Sequence, residues 1–599
     1  MSTDFLSTTP AEMRERGWDA LDVILISGDS YIDSPFIGSA VIGRVLERAG
    51  YRVGIIAQPE VTSTADITRL GEPRLFWGIS GGSVDSMVAN YTALKKKRKS
   101  DDYTPGGQNT RRPDRAVIAY SNLIRRAYKN TAPLVLGGIE ASLRRVAHYD
   151  FWSDAVRRSI LFDAKADYLV YGMGEGTILA LAEALRNGGD PTAIRGLWYI
   201  SREAPAGYEM LPSYEEVCAD KPAFIRMFHS FYRNMDPITA HGLVQPHADR
   251  LLVQNPPAPY GTQAALDDIY DLPYQRRQHP YYERMGAVRL QDTVGFSIST
   301  HRGCYGECNF CAIAVHEGRT VRWRSEESIL AEAERLTRMP GFKGIIQDVG
   351  GPTANMYGFE CRKKLTSGVC EDKRCVFPVT CKALKPTHQP QTELLKRIRK
   401  IAGVKKAFVA SGIRYDLILT DTAHGREYLR EVVEHHVSGQ MKVAPEHTST
   451  AVLEKMGKPG SGALVKFKQQ FDDLSRESGK QQFLTYYLIA AHPGCGEKEM
   501  AELKRFVSRE LHITPEQVQI FTPTPSTYSS LMYYTGLDPF TLEPLFVERE
   551  PVRKEKQKRM ITEPGVKSPV GTPPRNPRSR DGERRGIAKN IRSPRKEKP

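Results

Sequence analysis

Short apolar runs that alternate with helical segments constrain this chain more than any other feature. Residues 22–29 (DVILISGD), 52–58 (RVGIIAQ), 74–80, 133–138 (PLVLGG) and 167–171 each read as a strand buried on both faces. They lack the strict polar alternation of a half-exposed strand. Between them, apolar residues recur at three- and four-residue spacing; the segment 36–49, for instance, ends at Gly50, a good helix stop. Strand–helix alternation calls for crossover connections, and these build a parallel sheet with helices on both faces. The pattern predicts a doubly wound, Rossmann-like α/β domain over residues 1–190. An insertion at 90–114 carries Lys95, Lys96, Lys97, Arg98 and Lys99, then Pro105, Gly106 and Gly107. It reads as a solvated loop that could close over an anionic ligand.

Residues 191–291 carry a weaker signal, with Pro-rich (256–259) and aromatic (273–282) pieces. They are expected to form a connecting region packed on both domains. A second α/β series follows over 292–546. Its strands are expected at 294–300, 344–349, 406–410, 439–443, 483–490 and 517–521. The helix after the first strand has Ser325 at its N-cap, and Glu326 and Glu327 in its first turn. Six strands of this kind predict a partial (β/α)6 barrel, whose chemistry belongs at the C-terminal strand ends.

Cys304, Cys308 and Cys311 follow directly on the first of these strands, in the spacing C-x3-C-x2-C. Three thiolates can ligate three irons of a [4Fe–4S] cubane and leave the fourth iron open for a cofactor or substrate. Gly303 and Gly306 let the backbone wrap closely, and Phe310 is placed to cover the cluster. A zinc site would need a fourth ligand, for which His301 or His316 is available. A second group, Cys361, Cys370, Cys375 and Cys381, occupies one long loop after the second strand. A loop that long needs a staple or a function. Four thiolates suit an auxiliary iron–sulfur cluster or a structural Zn²⁺; free or redox-active thiols are the other reading. Arg362, Lys363, Lys364, Lys373 and Arg374 would stabilise thiolate or substrate charge there. Cys218 and Cys495 read as ordinary single cysteines.

The three-cysteine motif, its place after the first strand and the six-strand pattern resemble the radical S-adenosylmethionine (SAM) superfamily. That resemblance implies an open iron that binds SAM, reductive cleavage of the cofactor, and a 5′-deoxyadenosyl radical that takes hydrogen from a substrate. It also implies an external electron donor such as a flavodoxin or ferredoxin. Carried onto this sequence, Gly350 and Gly351 correspond to the glycine pair that meets the cofactor's amino group. Ser411 and Arg414 correspond to polar groups near the ribose and carboxylate, and Lys442 and Glu446 stand at the end of the fourth strand. Pro352, rather than an acidic residue, follows the glycine pair. The glycine-rich strand ends of the first domain (GDSYIDSPFIG, GISGGS, LGGIEAS, YGMGEGT) resemble cobalamin-binding-like domains. The axial histidine of the cobalamin motif is missing, since Ser34 and Pro35 follow Asp33. Across residues 20–546 the chain resembles the YgiQ-type radical SAM proteins, a family that implies the radical core but no substrate.

Charge adds a last expectation. The net charge of +15 is concentrated at the C-terminus, where residues 551–599 hold 16 Lys+Arg against 5 Asp+Glu. Residues 547–599 are expected to form a disordered basic tail. With the Lys95–Lys99 run and the cationic cysteine loop, that tail makes nucleic acid a candidate partner, and an RNA-modifying radical methyltransferase or methylthiotransferase an alternative function. A metal-binding redox scaffold without turnover is the other alternative. The chain has no apolar run of membrane-spanning length and no signal-peptide pattern, which points to the cytoplasm.

Overall fold

Val23–Ser27 and Val53–Ala57 are buried at every residue, as strands covered on both faces must be. They form the start of a nine-stranded sheet. Its parallel part runs Val53–Ala57, Val23–Ser27, Phe76–Ser80, Leu134–Gly137 and Tyr168–Val170. Strand order therefore reverses between Val23–Ser27 and Phe76–Ser80, as in a doubly wound fold. The computed structural model describes residues 4–563. Residues up to Thr562 make one compact unit.

The region expected to connect two domains instead extends this sheet. Leu197–Ser201 pairs antiparallel with Tyr168–Val170, and Arg250–Gln254 and Leu243–His247 add further antiparallel strands, with Glu209–Met210 at the edge. Part of the basic insertion is buried too. Lys95–Lys99 is largely exposed, but Arg112 is buried and pairs with Asp29 (2.8 Å) and Asp101 (3.2 Å).

The second array is parallel and follows chain order. Ile298–Ser299 pairs with Val349–Gly350, Ile345–Ile346 with Lys406–Ala407, and Ile413 bridges to Val443. Gln440–Glu446, Phe483–Ala490 and Val518–Ile520 complete it. Four of the six expected strands are shorter than read, the third being Lys406–Ala407 and the sixth Val518–Ile520. Gln291–Val294 is helical, so the first strand begins only at Ile298, and the second is split into two short pieces. Ser325 caps the helix Glu326–Thr337 by accepting the Ser328 N–H.

The expected tail is corrected over its first part. Pro551–Thr562 is a helix that buries Lys554, Gln557 and Ile561. Gln557 donates to the Cys495 carbonyl (3.1 Å) and accepts the Ala491 N–H (2.9 Å), which ties the helix to the end of the fifth barrel strand. The rest of the expected tail lies outside the described residues. Tyr528, Leu531, Met532 and Tyr533 pack into the same core as Leu134, Leu136 and Trp198, so the chain returns to the first sheet after the barrel. Among the described residues, no helix is long and apolar enough to cross a membrane.

Candidate functional site

The loop with Cys304, Cys308 and Cys311 leaves the barrel after His301–Arg302 and re-enters structure at the helix Ile313–His316. All three cysteines are free thiols and half-buried. Gly306 donates its N–H to the Cys304 sulfur (3.3 Å). A Cβ at Gly306 would stand 3.1 Å from the Cys304 sulfur, 3.2 Å from an Arg414 guanidinium nitrogen and 3.7 Å from the Cys308 sulfur. Only glycine leaves this cradle clear. Burial pushes the Cys304 and Cys311 thiols up.

Three thiolates on one loop match the three irons that a [4Fe–4S] cubane leaves to protein ligands, each thiolate taking a different iron. A zinc ion would draw four ligands to bonds of about 2.3 Å. His301 and His316 each place Nδ1 against a hydroxyl, of Thr300 (2.8 Å) and Ser142 (3.0 Å).

The predicted strand-end residues gather around this loop. After Gly350 and Gly351 the chain turns so that the Thr353 hydroxyl lies 3.3 Å from the Cys304 sulfur. A Cβ on Gly351 would come within 2.6 Å of the His301 ring. Asp348, two residues before the glycine pair, accepts the Ala410 N–H (2.8 Å), the Ser411 N–H (3.1 Å) and the Ser411 hydroxyl. Asn355 accepts the Arg414 N–H (2.8 Å) and donates to the Arg414 carbonyl (3.0 Å). The glycine turn and the segment 411–414 are thus one hydrogen-bonded unit.

Arg414 pairs with Asp416 (2.6 Å), and Glu446 with Lys458 (3.4 Å). Burial alone would raise the Asp416 carboxyl, but the Arg414 guanidinium holds it below its ordinary range. Lys442 is exposed and does not join this group; with Ser411, Asp348 and Tyr487 it lines a separate 290 Å³ cavity. Sequence reasoning missed Asp348, Asn355, Asp416 and Lys458. An acidic residue just ahead of a glycine pair, and Asp416 two residues after Arg414, were the available signals.

The four-cysteine loop packs directly on the three-cysteine loop. Cys361 and Cys375 share an apolar cluster with Cys304 and Tyr305. Burial pushes the Cys375 thiol up, against the opposing pull of the Lys364 ammonium 3.6 Å away. The structure brings Cys361 and Cys375 near each other. It does not gather three of the four around a single ion.

Residues 5–297 match a family described as Radical SAM N-terminal, residues 298–507 the Radical SAM superfamily, and residues 516–562 a domain of unknown function (DUF3362). A UPF0313 protein of Fusobacterium nucleatum is 58% identical, over 93% of this chain and 99% of that protein. One from Methanocella arvoryzae is 50% identical, over 90% of each. The solved structure of the radical SAM methyltransferase TsrM from Kitasatospora setae, with cobalamin and a [4Fe–4S] cluster bound, aligns with a TM-score of 0.46. It is 15% identical and covers 84% of this chain and 77% of that one.

Proposed function

Because this chain belongs to the UPF0313 family and carries a radical SAM core, we propose that Cys304, Cys308 and Cys311 hold a [4Fe–4S] cluster at which SAM is reductively cleaved to start a radical reaction on a substrate. When bound, the cluster and SAM supply a one-electron cleavage and a carbon-centred radical, the electron coming from an external donor.

The protein's own residues do the rest. The Gly350–Gly351 turn offers backbone without side-chain obstruction beside Cys304. Asp348 fixes Ser411, and Asn355 fixes the Arg414 backbone. The Arg414 guanidinium, neutralised in part by Asp416, stands where it can orient an anionic group next to Cys304 and Cys308. Phe310 packs edge-on to His492 (6.3 Å), and His492 to Phe521 (5.0 Å), an aromatic wall beside the loop.

One observation carries this reading: Cys304 touches Thr353 at the end of the glycine turn, which joins the expected cluster ligand to the expected cofactor surface. Anaerobically reconstituted protein should give a [4Fe–4S] EPR signal on reduction and should form 5′-deoxyadenosine from SAM. Cys308→Ala should lose both. A Cys308→Ala protein that kept both would end the proposal.

A further inference from the structure

The four-cysteine loop has an inner and an outer side. On the inner side Val376 is 1% exposed and belongs to the apolar core against which Cys304 packs. Tyr305, next to Cys304, packs its ring on Phe359 (6.0 Å), and the buried Lys364 sets its ammonium 5.5 Å from the centre of the Tyr305 ring. On the outer side Val379 is 74% exposed. It stands three residues after Val376, so their Cα atoms are at most about 11 Å apart. Along that short stretch the loop passes from the packing around Cys304 to solvent.

The outer side is strongly basic. Residues 361–387 hold seven basic side chains against two acidic ones, Glu371 and Asp372. Lys364 and Arg374 point back to the protein, donating to the carbonyls of Arg319 and Glu307. Arg362, Lys363, Lys373, Lys382 and Lys385 are exposed, and among the described residues none of the five has an ion-pair or side-chain hydrogen-bond partner. Exposed cations elsewhere are matched, as Lys556 is by Glu497 (2.7 Å) and Arg553 by Glu548 (3.0 Å). Unmatched charges of one sign on one loop leave a field that draws a partner of the opposite sign.

A protein with an acidic face fits this side better than nucleic acid does. Unpaired bases are held by stacking on aromatic rings. Phe377 is the one aromatic residue of 361–387 and is half-buried, whereas the exposed apolar side chain, Val379, is aliphatic. Complexes that pass a single electron are small, and electrostatic steering brings their partners together. Val379, between Lys373 and Lys382 in sequence, offers an apolar contact of the kind that the dimethylbenzene edge of a flavin takes.

We propose that the outer face of the four-cysteine loop is the docking surface for an acidic, flavin-bearing one-electron carrier of the flavodoxin type. The proposal rests on the cluster reading above, which calls for an electron donor without placing it. In the complex an anionic flavin hydroquinone loses one electron and becomes the neutral semiquinone. That electron reduces the cluster from 2+ to 1+, and no proton moves.

Isothermal titration of a bacterial flavodoxin into the reconstituted full-length protein measures the docking. One flavodoxin should bind per chain, about tenfold more weakly at about 300 mM than at about 50 mM NaCl. The triple variant Lys373→Glu, Lys382→Glu, Lys385→Glu should bind about tenfold more weakly than wild type. Reversing Lys96, Lys97 and Lys99 to Glu, on the other exposed basic run, should leave binding unchanged. Formation of 5′-deoxyadenosine driven by flavodoxin hydroquinone should fall in the loop variant. The rate with dithionite, a small reductant that needs no docking surface, should stay at the wild-type value and shows that the variant is folded. Salt-insensitive binding by the wild type, undiminished binding by the loop variant, or an equal loss on reversing Lys96, Lys97 and Lys99 would each overturn the proposal. So would a loop variant that lost binding of a single-stranded oligoribonucleotide and kept that of flavodoxin. Docking without 5′-deoxyadenosine under either reductant removes the cluster reading alone; 5′-deoxyadenosine with dithionite but no docking removes this surface alone.

Discussion

Arg374, in the four-cysteine loop, donates a 3.0 Å hydrogen bond to the carbonyl of Glu307, the residue directly before Cys308. Glu307 has a left-handed backbone (φ 50°), and its carboxylate pairs with Arg319 (3.1 Å) and accepts the Tyr232 hydroxyl (3.1 Å). Lys364, from the same loop as Arg374, donates to the Arg319 carbonyl. The second cysteine loop therefore clamps the first. Arg374→Ala should reduce iron retained after anaerobic gel filtration, in the range of about 10-fold that losing an outer contact costs a metal site. Iron content equal to wild type would show that the clamp is not needed.

Asp348 should act on the cofactor rather than on the cluster. Asp348→Asn keeps the shape but gives up the charge that holds two backbone N–H groups and the Ser411 hydroxyl. Hydrogen bonds to a charged group are worth about 1.5–3 kcal/mol. The KM for SAM should rise by about 10-fold or more, with iron content unchanged. A loss of iron at constant KM would reverse the assignment.

Lys554 makes the docked C-terminal helix sensitive to pH. It is buried beside Phe151, donates to the Tyr533 hydroxyl (2.8 Å), and burial lowers its pKa to about 8. A lysine whose folded pKa lies below its unfolded value holds fewer protons when folded, so stability rises with pH between about 8 and 10.5. Below that window the charge is a liability of about 3 kcal/mol. Lys554→Met should raise the Tm at pH 7 and give a smaller gain near pH 10. An unchanged Tm at pH 7 would contradict this.

At Asp150 the charge stabilises the fold instead. Burial alone would raise its pKa, but Arg115 (2.5 Å) holds the carboxyl at about 2. Its contribution, about 2 kcal/mol, is complete above about pH 4 and is lost as pH falls towards 2. Asp150→Asn should lower stability at pH 7 and narrow the gap to wild type in denaturant unfolding at pH 3.

The parallel strands were legible because double burial leaves a dense apolar run: 52–58 contains Val53–Ala57, and 74–80 contains Phe76–Ser80. The antiparallel extension was not. Leu243–His247 reads LVQPH, and neither its length nor its Pro246 suggests a strand. The helix Pro551–Thr562 escaped for another reason: it buries Lys554 and Gln557 with Ile561, a polar face that looks solvated until its partners are known. Around the cluster loop the cysteines and glycines were visible as spacing. Asp348 and Asp416 left only weak signals, their places beside the glycine pair and Arg414, and Lys458 left none, because its contact with Glu446 is a relation in space with no period in sequence.

The packing of Tyr528, Leu531, Met532 and Tyr533 against the first sheet has a consequence for biosynthesis. A core that includes Met13 and Leu21 is closed by side chains more than five hundred residues later. On the ribosome, the first sheet cannot finish that core until the whole barrel and its cysteine loops have emerged. The cysteine loop is held from the same late segment, since Ser529 donates its N–H to the Asn309 carbonyl (2.9 Å). The cysteine loop therefore gains this backbone contact only once residue 529 has been made.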